Sequence, residues 1–165
     1  MTKRQVFFSF HYDNDSWRAA QIKNMGKVSE SSTFSANDWE EVKEEGDSKI
    51  EAWIDEQMAK RSCLVVLIGA KTSNRKWINY EIKKAYELNK GIVGIYINKL
   101  ENSSGEQDDE GDNPFDHVYI PGVDLSKHVK CFKSEHKTSK YVYRDIEENI
   151  QDLIEYGIEN KPSTW

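Results

Sequence analysis

The stretch Cys63-Leu64-Val65-Val66-Leu67-Ile68-Gly69-Ala70, followed after a polar turn by Trp77-Ile78-Asn79-Tyr80-Glu81-Ile82, decides how this chain folds. From Cys63 to Ile68 the residues are apolar without alternation and half of them are β-branched. That pattern predicts a strand buried on both faces, as in a parallel sheet, and Gly69-Ala70 ends it. A helix is predicted from about Asn74 to Asn89, stopped by Lys90-Gly91, and Ile92-Val93-Gly94-Ile95-Tyr96-Ile97 reads as a second buried strand.

Working outward, Gln5 to Phe10 is apolar on both faces and reads as a first central strand. His11-Tyr12-Asp13-Asn14-Asp15 breaks it. The Asn/Asp pair offers an N-cap for a helix that carries Trp17, Ala20, Ile22 and Met25 and closes near Gly26. Residues 27–46 are irregular. Asp47 or Ser48 can cap the next helix, where Ile50, Trp53, Ile54, Gln57, Met58 and Arg61 share a face. The stretch 101–112 is rich in Gly and acids and holds no apolar residue, so a mobile, solvated loop that is dispensable for folding is expected there. His117 to Ile120 and Val129 to Phe132 compete for the last strand, and Tyr143 to Glu159 reads as a closing helix. Alternating strands and helices predict one α/β domain over 1–165, a doubly wound sandwich with a central, mostly parallel sheet.

Five Trp, eight Tyr and six Phe supply bulky core material, so the chain is expected to fold alone. A net charge of −6 disfavours general binding to nucleic acid, which needs a surplus of Lys and Arg. The longest apolar run is far shorter than a membrane span, and no signal peptide is read, so a cytoplasmic protein off the membrane is expected. The two cysteines, Cys63 and Cys131, are expected to be reduced.

In a doubly wound sheet the ligand crevice lies beyond the carboxyl ends of the strands. On the helix after Gly69, measured from Trp77, Glu81 falls at ~40°, between Leu88 at ~20° and Ala85 at ~80°, with Ile78 at ~100°. Glu81 therefore lies inside the apolar arc. An inward carboxylate must find a partner or have its pKa raised, because an unsolvated isolated charge costs several kcal/mol, so Glu81 is either a site residue, one half of an ion pair with a Lys or Arg, or a group that escapes at the helix end.

At the exit of the first strand, Ser9, Phe10, His11, Tyr12 and Asp13 cluster polar and aromatic groups where a ligand would lie; ordinary turn chemistry around one core aromatic is the simpler account of most of them. Trp39 is either a pocket wall or a loop anchor. His117, His128, Cys131 and His136 lack the paired spacing of a zinc site, so no metal is expected. No Gly-rich phosphate fingerprint follows any strand, which argues against a kinase, an ATPase or a dinucleotide-dependent dehydrogenase. A receiver domain needs an Asp at the end of the third strand, and none stands there.

Gly46-Asp47-x-x-Ile50, Ile54, Met58, Ser62, Val65 to Ile68 and Trp77-Ile78-Asn79-Tyr80-Glu81 resemble the middle of a Toll/interleukin receptor (TIR) domain, in which a Trp lies four residues before the catalytic Glu. Within that group, Val6-Phe7-Phe8-Ser9-Phe10-His11-Tyr12, Asp38-Trp39-Glu40, Tyr80-Glu81-Ile82 and Asn113-Pro114-Phe115-Asp116 resemble the ThsB family of bacterial Thoeris antiphage defence. The resemblance implies a flavodoxin-like fold. It also implies an enzyme that cleaves NAD+, as substrate and with no further cofactor, at the nicotinamide–ribose bond and makes a cyclic ADP-ribose isomer that signals to an effector protein. Glu81 matches the catalytic position, and Ser9, Phe10, His11, Tyr12, Asp13, Trp39 and Trp77 are the expected substrate contacts. A phage-derived trigger and a homo-oligomer are left open. The competing class is a TIR-like adaptor without turnover; a sugar hydrolase would need a second acid beside Glu81.

Overall fold

The computed structural model describes residues 2–34 and 45–165. The elements run β1 (Val6–Ser9), α1 (Tyr12–Lys23), β2 (Thr33–Phe34), α2 (Asp47–Ala59), β3 (Cys63–Ile68), α3 (Lys76–Glu87), β4 (Gly91–Tyr96), α4 (Leu125–His128), β5 (Lys130–Phe132) and α5 (Ser139–Glu159). The five strands lie in the order β2-β1-β3-β4-β5, and every pair is parallel. This is the flavodoxin-like arrangement, with β2 on one side of β1 and β3 on the other.

Alternation along each strand divides the core into two layers. Val6, Phe8, Val65, Leu67, Val93 and Ile95 pack against Ala19 and Ile22 of α1 and Ile146, Ile150 and Leu153 of α5. Phe7, Leu64, Val66, Ile68 and Ile92 meet Ile50, Ile54 and Met58 of α2 and Ile78, Ile82 and Ala85 of α3. Cys63 lies in the first layer, while Cys131 packs against the second; both are free thiols.

Of the two candidates for the last strand, the one around Cys131 forms it, and Ile120 makes only an isolated antiparallel bridge to Val123. The closing helix starts at Ser139, four residues before Tyr143. Helix α2 has Gly46 as its N-cap, at φ 99°, and Asp47 is its first residue.

Helix α1 turns a different face inward from the expected one. Trp17 is 58% exposed and Ala20 lies in solvent, whereas Asp15, Arg18, Ala19 and Ile22 are buried. The N-cap is His11, not the Asn/Asp pair: the Asn14 N–H donates to His11 Nδ1 at 3.2 Å. The inward face is chosen by Arg18, whose guanidinium finds enough acceptors to be buried whole.

Several of those acceptors lie in or next to the acidic stretch. Arg18 donates to the carbonyls of Leu100 (2.7 Å) and Glu106 (2.8 Å) and to Asp108 Oδ2 (3.1 Å). Asn14 also donates to Asp108 (2.8 Å), and Gln107 donates to the Lys99 and Lys137 carbonyls (2.7 Å each). The expected free loop is thus fastened through polar anchors. Replacing 101–111 by a short glycine linker is now expected to lower the melting temperature rather than leave it unchanged, by about 2–4 °C for each kcal/mol lost. Calorimetry of the shortened chain checks this.

Glycine also lets α5 close on the sheet. A Cβ on Gly157 would lie 2.6 Å from Val93 Cγ1, and one on Gly91 would lie 2.8 Å from the Gly157 backbone. Gly157→Ala should therefore destabilise by about 1–3 kcal/mol through overpacking, read as a lower urea midpoint at unchanged slope.

Candidate active site

Helix α3 places Glu81 on its apolar side, between Ile78, Ile82 and Ala85, and the carboxyl group is 1% exposed. Ser9, the last residue of β1, shares the strand face of Phe7 and so points toward α3. Its hydroxyl, itself wholly buried, donates to Glu81 Oε1 at 2.7 Å. The pair sits where β1 and β3 part company, with Ser9 in register with Val66, at the topological switch point of the sheet. The helix bearing Glu81 is fixed from outside. Tyr80 Oη donates to Asp55 Oδ1 of α2 at 2.6 Å, Lys84 stands 3.6 Å from the same carboxylate, and burial pushes the Tyr80 phenol up.

Strand β3, parallel to β1, leaves the sheet at the same end. Thr72, wholly buried, accepts from the Gly69 N–H at 2.8 Å and donates to the Leu67 carbonyl at 3.3 Å, closing a tight turn. An ideal Cβ on Gly69 would meet Asp15 Oδ2 at 2.0 Å, and one on Gly111 would meet the Gly69 carbonyl oxygen at 2.1 Å. Only glycine at both positions permits this approach of carboxylate and backbone.

Of the residues singled out in the sequence, Ser9 and Glu81 are brought into direct contact. His11, Tyr12 and Asp13 lie at the same end of the sheet, on the cap and first turn of α1, with Tyr12 40% exposed. Phe10 turns into the α1/α5 layer, edge-on to Phe34 with centroids 5.7 Å apart. Trp77 packs against the opposite layer, edge-on to Tyr80 at 5.7 Å. Trp39 lies outside the described residues. Sequence reading missed Asp15, Arg18, Gly69 and Gly111. A glycine immediately after a buried strand was the signal available for one of them. Among the described residues no group of three or more His, Cys, Asp or Glu could hold a metal ion, and no helix is long and apolar enough to cross a membrane.

His11 couples this end of the sheet to pH. Burial, with the Arg75 charge adding to it, pushes the imidazole down from its ordinary range. The cap needs an unprotonated Nδ1. As pH falls below the unfolded value, the unfolded chain takes up its proton first, so stability falls until the lower folded value is passed. His11→Ser keeps a capping oxygen and should remove this slope, seen by urea melts between about pH 7.5 and 5.

The family model described as "Thoeris protein ThsB, TIR-like domain" matches residues 7–102, more than half of the chain and nearly all of β1 through β4. The chain belongs to this ThsB TIR-like family. A curated relative from Bacillus cereus (strain MSX-D12), named "Putative cyclic ADP-D-ribose synthase ThsB1", is 38% identical over 123 residues, covering 72% of this chain and 64% of the relative. The chain thus spans about two thirds, at 64%, of that relative's length. Within the ThsB match fall Ser9, Asp15, Arg18, Gly69 and Glu81, whereas Asp108 and Gly111 follow it.

Proposed function

We propose that this chain cleaves NAD+ at the nicotinamide–ribose bond and closes the ADP-ribose into a cyclic isomer, a diffusible signal to an effector protein in bacterial antiphage defence. The observation that carries the reading is the buried Glu81 carboxylate, held by Ser9 at the switch point of the sheet, in a ThsB-family chain whose relative is named for cyclic ADP-ribose synthesis.

Departure of nicotinamide leaves positive charge on the ribose C1′ and its ring oxygen. A carboxylate in a water-poor crevice stabilises that charge far better than one in water, and Glu81 can also accept from the ribose hydroxyls. The Ser9 hydroxyl occupies one lone pair of Oε1 and so fixes the plane of the carboxyl group. A hydroxyl of the same ADP-ribose then attacks C1′ and releases its proton, which needs a folded nucleotide and the exclusion of water. His11, Tyr12, Asp13 and Trp77 are the proposed contacts around it, with Trp39 and Phe10 as further aromatic candidates. Turnover awaits a trigger generated by infection.

Purified protein incubated with NAD+, alone and with extract of phage-infected cells, tests this by mass spectrometry. Nicotinamide and a product one water lighter than ADP-ribose are expected in equal amounts. NAD+ left intact under both conditions would instead make the chain an adaptor that works through association.

A further inference from the structure

Arg18 is the most heavily engaged buried side chain outside the Glu81–Ser9 pair, and its partners include two segments that touch the β3 exit. Its Nη1 donates to Asp15 Oδ1 at 2.9 Å and to Asp108 Oδ2 at 3.1 Å, while Nε and Nη2 take the Leu100 and Glu106 carbonyls. Asp15 presses its other oxygen, Oδ2, against Gly69; that atom is buried and has no hydrogen-bond partner among the described residues. Three residues beyond Asp108, Gly111 lies on the Gly69 carbonyl and the Ala70 backbone. The exit of β3 is therefore touched both by Asp15 and by segment 106–111, and one guanidinium holds both.

We propose that Arg18 is a positioning residue that, through segment 106–111, fixes the wall of the crevice and so sets how much ADP-ribose is closed into a ring rather than hydrolysed. The inference rests on the NAD+-cleaving reading above. Ring closure and hydrolysis diverge from the same cationic ribose: in one, an internal hydroxyl forms the new bond to C1′, in the other a water does, and each releases one proton. Their ratio is governed by water access and by how tightly the nucleotide is folded, not by the rate at which nicotinamide leaves. A fork of fixed geometry suits the task. Lysine would keep the charge but could not span the Leu100 and Glu106 carbonyls and both carboxylates at once.

Arg18→Lys and, independently, Gly111→Ala, which lifts the wall off the Gly69 carbonyl without touching Arg18, test the inference with NAD+ as the probe, parent and variants each assayed alone and with extract of phage-infected cells. In both, the ratio of cyclic to linear ADP-ribose is expected to fall about tenfold, the order that a misplacement of around 1 Å brings. Hydrogen exchange in 101–111 should be faster in the same variants. If Arg18→Lys fails to fold, Gly111→Ala decides alone. A parent that releases no nicotinamide overturns the NAD+ reading and this inference with it. A parent that turns over normally, with the product ratio unmoved in the folded variants, overturns this inference and leaves the NAD+ reading standing.

Discussion

Glu81→Gln is expected to leave the fold intact and to lower nicotinamide release about 10²–10³-fold, the usual loss when one electrostatic stabiliser of a transition state is removed. Glutamine has the shape of glutamate and keeps an oxygen that can accept from the Ser9 hydroxyl, so the 2.7 Å contact at the end of β1 survives. What disappears is the negative charge that the proposed mechanism sets against the ribose. The measurement is a pair: steady-state nicotinamide release, and a urea melt showing an unchanged midpoint. Full turnover in the variant would remove Glu81 from the chemistry. Loss of folding would assign it to an ion pair within the core, the alternative left open by its place on the helix.

The largest effect on stability is expected from Arg18→Met. Methionine fills much of the space but leaves the Asp15 carboxylate, wholly buried, without its cation, and leaves the Leu100 and Glu106 carbonyls without a donor. Removing one partner of a buried pair costs about 3–5 kcal/mol, because the surviving charge stays desolvated. Asp15 already feels this burial, which pushes its carboxyl group above the usual range despite Arg18. The double variant Asp15→Asn/Arg18→Met should recover part of the loss, and the urea midpoints of the single and double variants measure the coupling.

These two residues also mark where sequence reading reaches and where it stops. The strand Cys63–Ile68 and the inward position of Glu81 were legible because both are written in hydrophobicity: one as an unbroken run, the other as an acid lodged in an apolar arc. Arg18 was not. On a helix with Asp15 and Trp17 beside it, an arginine reads as a solvated residue and the tryptophan as core, yet the structure does the reverse. The cause is largely long-range: beyond the local Asn14 carbonyl and Asp15, the acceptors that make burial of the guanidinium tolerable come from residues 100–108, more than eighty positions away, and most of these are backbone carbonyls, which no side-chain pattern announces. The same blindness made 101–112 look like a free loop, since its anchors are polar. The last strand was ambiguous because it is an edge strand of three residues, too short for periodicity to separate it from His117–Ile120.

The two thiols supply built-in reporters for each half of the molecule. Cys63 lies under α5, wholly buried, and Cys131 is pushed up to about 12 by its own burial, chiefly by desolvation, on the opposite side of the sheet. Alkylating reagents attack thiolates, so both are slow to label while the sheet keeps its coverings. Pulse labelling at increasing urea, followed by peptide mass mapping, would reveal whether the α1/α5 covering and the α2/α3 covering detach together or in sequence. No foreign probe need be introduced, and each substitution discussed above could be assigned to the layer it loosens.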